Sequence, residues 1–165
     1  MTTDILEYQD YEDWNELSVE SITYLNKNLD TWAKELSLPD LDLQIFDQVE
    51  QYNQSAIKLT ELIATHCSLT KASFYSAKAA YSSKMHRVKC DITDAIADAG
   101  GTKRAPSQDT LERLAHDKSL KEWRVMIKAE IVYEFWQTHS YKINQIHGRL
   151  TSMNVLQNIN AKNKT

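Results

Sequence analysis

Lys71, Lys78, Ser82 and Lys89 are separated by seven, four and seven residues. On a helix, at about 100° per residue, this spacing gathers them within roughly 20° either side of one line. Tyr75 falls near the same row, and Lys84 and Arg87 lie elsewhere on the outer surface. No Asp or Glu occurs between Glu61 and Asp91, an interval of 29 residues in a chain that holds 23 acids. Such a surface suits a phosphate backbone: ammonium groups attract it, hydroxyls add hydrogen bonds and an exposed ring offers a stacking platform. Lys103 and Arg104, in a loop further on, and the row Lys121, Arg124 and Lys128 extend the basic character. A plainer reading stands beside this one. Phe74 and Tyr81 keep the spacing of an apolar seam and so read as core, and lysines beside a seam are often ordinary solvated charge. The spacing favours burial for the two rings and polyanion binding for the lysine row.

Catalytic patterns are not found. His66, His86, His116, His139 and His147 never pair with one another at three or four residues, so no two-histidine helical metal clip is written. Glu130 and Glu134 are four apart, but no matching pair occurs elsewhere, and they read as surface charge. There is no Gly-x-Ser-x-Gly, no Cys-x-x-Cys and no phosphate-binding glycine loop. Gly100-Gly101-Thr102-Lys103 lacks both the leading glycine and the preceding strand that such a loop needs. Cys67 and Cys90 belong to one expected helix, roughly 35 Å apart at ~1.5 Å per residue, and cannot pair within the chain. The expectation is a protein that is not an enzyme, with no cofactor and no metal.

The elements that must carry these residues are helices. Only three glycines and two prolines interrupt 165 residues, which favours long helices over a sheet. Trp14, Leu17, Leu25, Leu29, Trp32 and Leu36 step by threes and fours and predict a helix over about 11–36, with an acidic outer face, ended at Leu38-Pro39-Asp40. A second helix is predicted over about 43–98. Its seam is Leu59, Ile63, Cys67, Thr70, Phe74, Ala77, Tyr81, Met85, Val88, Ile92 and Ala95. At roughly 80 Å it outruns a compact domain of this size, so either it breaks near 53–55 or other subunits pack along it. Gly100 stops it. A basic Gly/Pro loop over 99–107 follows, and Ser107 caps a short helix over 108–116. Ser119 and Glu122 have capping-box spacing at the start of a last helix over 119–157, through Trp123, Ile127, Ile131, Phe135, Ile143, Ile146, Leu150 and Met153. The resulting architecture is all-α, a long-helix antiparallel bundle or coiled-coil-like hairpin. Residues 1–42 form an acidic helical arm, 43–158 a body, and 159–165 a frayed tail.

Charge divides along the chain. Residues 1–50 hold 13 acids and two lysines, and residues 51–165 hold 10 acids and 17 Lys or Arg, within a net charge of −4. This asymmetry fits a polyanion-facing body with an acidic arm, or equally two oppositely charged faces that attract each other within the fold. No apolar run approaches the roughly 20 residues that span a bilayer, and Met1-Thr-Thr-Asp-Ile lacks a signal peptide's layout. No membrane contact and a cytoplasmic location are expected.

Two segments resemble the UvsY-type recombination mediators of bacteriophages. The first is Phe74-Tyr-Ser-Ala-Lys-Ala-Ala-Tyr-Ser-Ser-Lys84, similar to that family's basic, tyrosine-rich helix. The second is Asp117-Lys-Ser-Leu-Lys-Glu-Trp123 with the later Ser140-Tyr-Lys-Ile-Asn-Gln-Ile146, similar to its final helix. The likeness covers about residues 55–155. Ser83 stands where the family tends to have glycine, and the acidic first 50 residues have no counterpart there. The resemblance implies a homo-oligomer, with no catalysis, that binds single-stranded DNA and contacts a RecA-like recombinase and single-strand-binding protein in the host cytoplasm. It implies DNA contact through Lys71, Lys78 and Lys84, to which the row adds Lys89, and self-assembly through the last helix. Two alternatives remain: a helical adaptor with protein contacts only, and an inhibitor whose acidic residues 4–50 mimic DNA.

Overall fold

The computed structural model describes residues 22–38, 46–98 and 106–162, with side chains described over 22–38, 52–98 and 106–153. The expected helical stretch over 11–21, the Pro39-Asp40 stop and the Gly100-Gly101 loop with Lys103 and Arg104 lie outside the described residues. The fold is all-α, with two long helices packed on each other and one small hairpin. Contacts divide it into two units. One takes the described residues up to Leu69 together with those from Val132 onward, and the other runs Thr70–Ile131.

The helix expected over 11–36 is not continuous in the first unit. Residues 22–28 are not helical: β1 (Thr23–Tyr24) pairs antiparallel with β2 (Lys27–Asn28), in the register Thr23↔Asn28 and Tyr24↔Lys27. Leu25 and Asn26 make the two-residue turn with φ of 51° and 60°, the left-handed pair that such a turn requires. Asn tolerates that region and Leu does so only at a strain of ~1–2 kcal/mol. Leu25, placed by its spacing on a helical stripe, is therefore exposed at a turn. Helix begins only at α1 (Leu29–Glu35), where Asn28 Oδ1 accepts from Thr31 N–H at 2.7 Å. Leu29, Trp32 and Leu36 keep the buried face expected of them.

α2 (Phe46–Asp98) is a single helix of 53 residues, so of the two alternatives its length allowed, the break near 53–55 does not occur. α4 (Leu120–Lys162) continues past the point where fraying was expected. In the first unit α2 and α4 run antiparallel. Thr60 Oγ1 bonds His147 Nε2 at 3.1 Å, while His66 stacks on Trp136 at 4.7 Å. The hairpin and α1 close over this point. Tyr24 and Trp32 both pack edge-on against Trp136, at 5.7 and 5.3 Å, and the Tyr24 hydroxyl meets His66 Nδ1 at 2.9 Å. Trp32 Nε1 donates to the Tyr24 carbonyl at 2.9 Å. Trp136 is fully buried, with Ile63, Val132, Ile143 and Leu150 buried along the same helix pair. Four aromatic rings from four elements thus form the centre of this unit.

The second unit is set by α3 (Gln108–Asp117). Ser107 Oγ accepts from Thr110 N–H at 3.3 Å, the cap its position predicts. α3 lies antiparallel on α2. The Tyr81 hydroxyl meets His116 Nδ1 at 2.9 Å, and Lys89 reaches Glu112 eight residues further along α2. Trp123 of α4 meets His116 edge-on at 5.5 Å. The capping box at Ser119 does not close. Ser119 Oγ is buried with no hydrogen-bond partner among the described residues, and the helix starts instead on the Ser119 carbonyl, which accepts from Trp123 N–H at 2.9 Å.

Candidate nucleic-acid interface

The basic row sits on the part of α2 that belongs to the second unit. Seam side chains Thr70, Phe74 and Val88 are buried, and the row lies roughly 80° round the helix from them. Phe74 and Tyr81 are packing residues, Phe74 buried and Tyr81 half-buried with its hydroxyl on His116. Lys71 and Lys78 are exposed, and neither has an acidic partner among the described residues. Lys78 Nζ lies 5.7 Å above the Phe74 ring, which holds the stem of the side chain against the seam. Tyr75 is 54% exposed, its ring tilted against Phe74 at 5.3 Å. A base stacked on Tyr75 would therefore lie beside Lys71 and Lys78.

Lys89 differs from the others in the row. Its Nζ lies 3.2 Å from Glu112 Oε1, and the two side chains are 27% and 53% exposed. Gln108 Nε2 donates to the same oxygen at 3.1 Å. Lys89's hydrogen bond, then Gln108's, then the lysine's charge hold the Glu112 carboxyl below its ordinary value. Lys89 therefore meets a phosphate only by exchanging one anion for another. This partner was hidden in the sequence, since Glu112 lies 23 residues downstream and is delivered by α3.

Lys84 and Arg87 stand apart, roughly 140–160° round α2 from Lys71, on the opposite flank of the seam. Lys84 is half-buried and Arg87 exposed. A strand lying along Lys71, Tyr75 and Lys78 does not reach them without leaving the row. On α4, Lys121 and Arg124 are exposed and Lys128 is half-buried.

The residues assigned to self-assembly split as well. Ile143 and Leu150 are buried within the chain's own first unit. Trp123, Ile127, Ile131, Phe135 and Ile146 are half-buried and keep some surface. Among the described residues no three metal-ligating side chains come together, and no helix is long and apolar enough to cross a membrane. Neither a scan of known protein families nor comparison with curated proteins and with solved structures returns a match for this chain.

Proposed function

We propose that the chain is a non-catalytic recombination mediator that binds single-stranded DNA along the Lys71–Tyr75–Lys78 row and promotes loading of a recombinase. One observation carries the reading: two ammonium groups without an acidic partner among the described residues flank an exposed tyrosine ring on one helix face, within 29 acid-free residues. The spacing of charge, ring and charge suits a flexible strand, whose bases can turn onto the ring while its phosphates meet the lysines. Duplex DNA presents no free base face to Tyr75. The recombinase, the single-strand-binding protein and self-assembly enter through the resemblance to UvsY-type mediators.

Polarisation titrations with labelled single-stranded and duplex DNA at two salt concentrations test this. Single strands should bind more tightly, and each phosphate contact should contribute ~0.7 to the log–log salt slope. Changing Lys71, Lys78 and Lys89 together to Ala should abolish binding with helical content intact. Glu112→Gln should strengthen binding a few-fold and steepen the slope by up to ~0.7, because it releases Lys89. A triple variant that binds as well as the native chain refutes the interface.

A helical adaptor with protein contacts alone is the second reading. It is favoured by Ile57, Leu62 and Leu69, apolar side chains exposed along α2. It requires an assembly indifferent to nucleic acid even at low salt.

A further inference from the structure

The side chain of Cys90 is exposed and not in a disulfide, and it does not stand alone on α2. His86, one turn earlier and also exposed, directs Nε2 to within 3.8 Å of Cys90 Sγ. A tetrahedral zinc ion, with Zn–N of ~2.0–2.1 Å and Zn–S of ~2.3 Å, holds a nitrogen and a sulfur ligand roughly 3.5 Å apart. The pair therefore already presents an imidazole nitrogen and a sulfur close to the bite of one cation. We propose that His86 and Cys90 are one half of a zinc-class metal site, and that the same pair of a second copy of this chain supplies the other half.

The donor set selects the metal. One thiolate and one imidazole from each copy suit Zn²⁺ and its neighbours and not Mg²⁺ or Ca²⁺, which take oxygen ligands. The need for a second copy follows from ligand number. A closed zinc site wants four ligands, and among the described residues no third His, Cys, Asp or Glu joins these two. Two copies related by a two-fold axis supply two nitrogens and two sulfurs with no further residue.

The surface around the pair admits such a neighbour. Ala79, Ser83 and Ala97 lie within about 40° of the strip through His86 and Cys90, and all three are exposed. Small side chains there let a second helix come close enough to share one ion. On ligation each Cys90 thiol gives up its proton to solvent and binds as thiolate, and two thiolates balance the charge of one divalent ion. Binding therefore weakens as pH falls. The site needs no bound DNA, although Tyr75 lies within about 40° of the same strip, one helical turn before Ala79.

Cobalt(II), which reports thiolate ligation by absorption, is the probe, titrated into the full chain under reducing conditions. The expected result is a sulfur-to-cobalt charge-transfer band that saturates at one metal per two chains and is displaced by Zn²⁺. Cys90→Ser and His86→Ala should each lose the band with helical content unchanged, and Cys67→Ser should keep it. The absence of a band, its survival in Cys90→Ser, or saturation at one metal per chain would each overturn the proposal.

Discussion

His66 is the residue on which the centre of the first unit turns. It is stacked on Trp136, met edge-on by Tyr24 and at a tilt by Trp32, and bonded to the Tyr24 hydroxyl. Burial pushes its pKa below the ordinary 6.5. The unfolded chain then takes up this proton at a higher pH than the folded chain does. The stability His66 contributes is complete above about pH 6.5 and is lost as pH falls through the folded value. The opposite trend has a physical basis too, since the Trp136 face attracts a cation. Melting temperatures of the native chain and His66→Phe between pH 7.5 and 5 decide between them. The variant should be less stable at pH 7.5 by about 1 kcal/mol, the worth of the Tyr24 hydrogen bond, and flatter with pH. If the native chain gains stability on acidification relative to the variant, the ring stack outweighs burial.

At the level of elements, two serines with similar sequence contexts behave oppositely. Ser107 caps α3 through its hydroxyl, and Ser107→Ala should cost about 1 kcal/mol. Ser119 precedes α4 with its hydroxyl buried and unpartnered among the described residues. Ser119→Ala removes a desolvated hydroxyl and should be neutral or stabilising by up to ~1–2 kcal/mol. Urea denaturation of the two variants checks the pair, and a loss at Ser119 as large as at Ser107 would mean the capping box closes after all. The difference marks what a sequence can tell. α2, α3 and the body of α4 were legible because steps of three and four persist along each, and a helix needs no distant partner to show its face. The hairpin was not, because Leu25, Leu29, Trp32 and Leu36 continue the same stepping through a segment whose Thr23-Tyr24 and Asn26-Lys27-Asn28 suit a turn better. The lysine row was legible as a spacing, since Lys71 and Lys78 project from one helix. The neutralisation of Lys89 and the four-ring cluster were not, because they are made by residues that only packing brings together. His86 and Cys90 were not legible as a site, because one imidazole and one thiol are only half of the four ligands a closed zinc site takes.

For the whole molecule the open term is the sign of its charge. Residues 1–21 hold seven acids and neither Lys nor Arg, so the chain without them passes from a net charge of −4 to +3. The cut belongs at 21 and not at 40, because residues 22–36 supply Tyr24 and Trp32 to the cover over Trp136. A truncation that exposed that indole would confuse loss of folding with loss of function. Carboxylates that act on a bound strand through space are screened over about 8 Å at physiological salt. Their effect should therefore appear at low salt and fade as salt rises. The chain lacking residues 1–21 should bind single-stranded DNA several-fold more tightly than the full chain at low ionic strength, with the two titrations converging at higher salt. If the acidic segment is instead the working surface, a mimic of DNA directed at some other protein, truncation should leave DNA binding unimproved at every salt concentration and abolish the capture of a DNA-binding partner. Convergence with salt distinguishes competition for the lysine row from that alternative, because only the first makes the amino-terminal acids and the DNA phosphates rivals for the same ammonium groups.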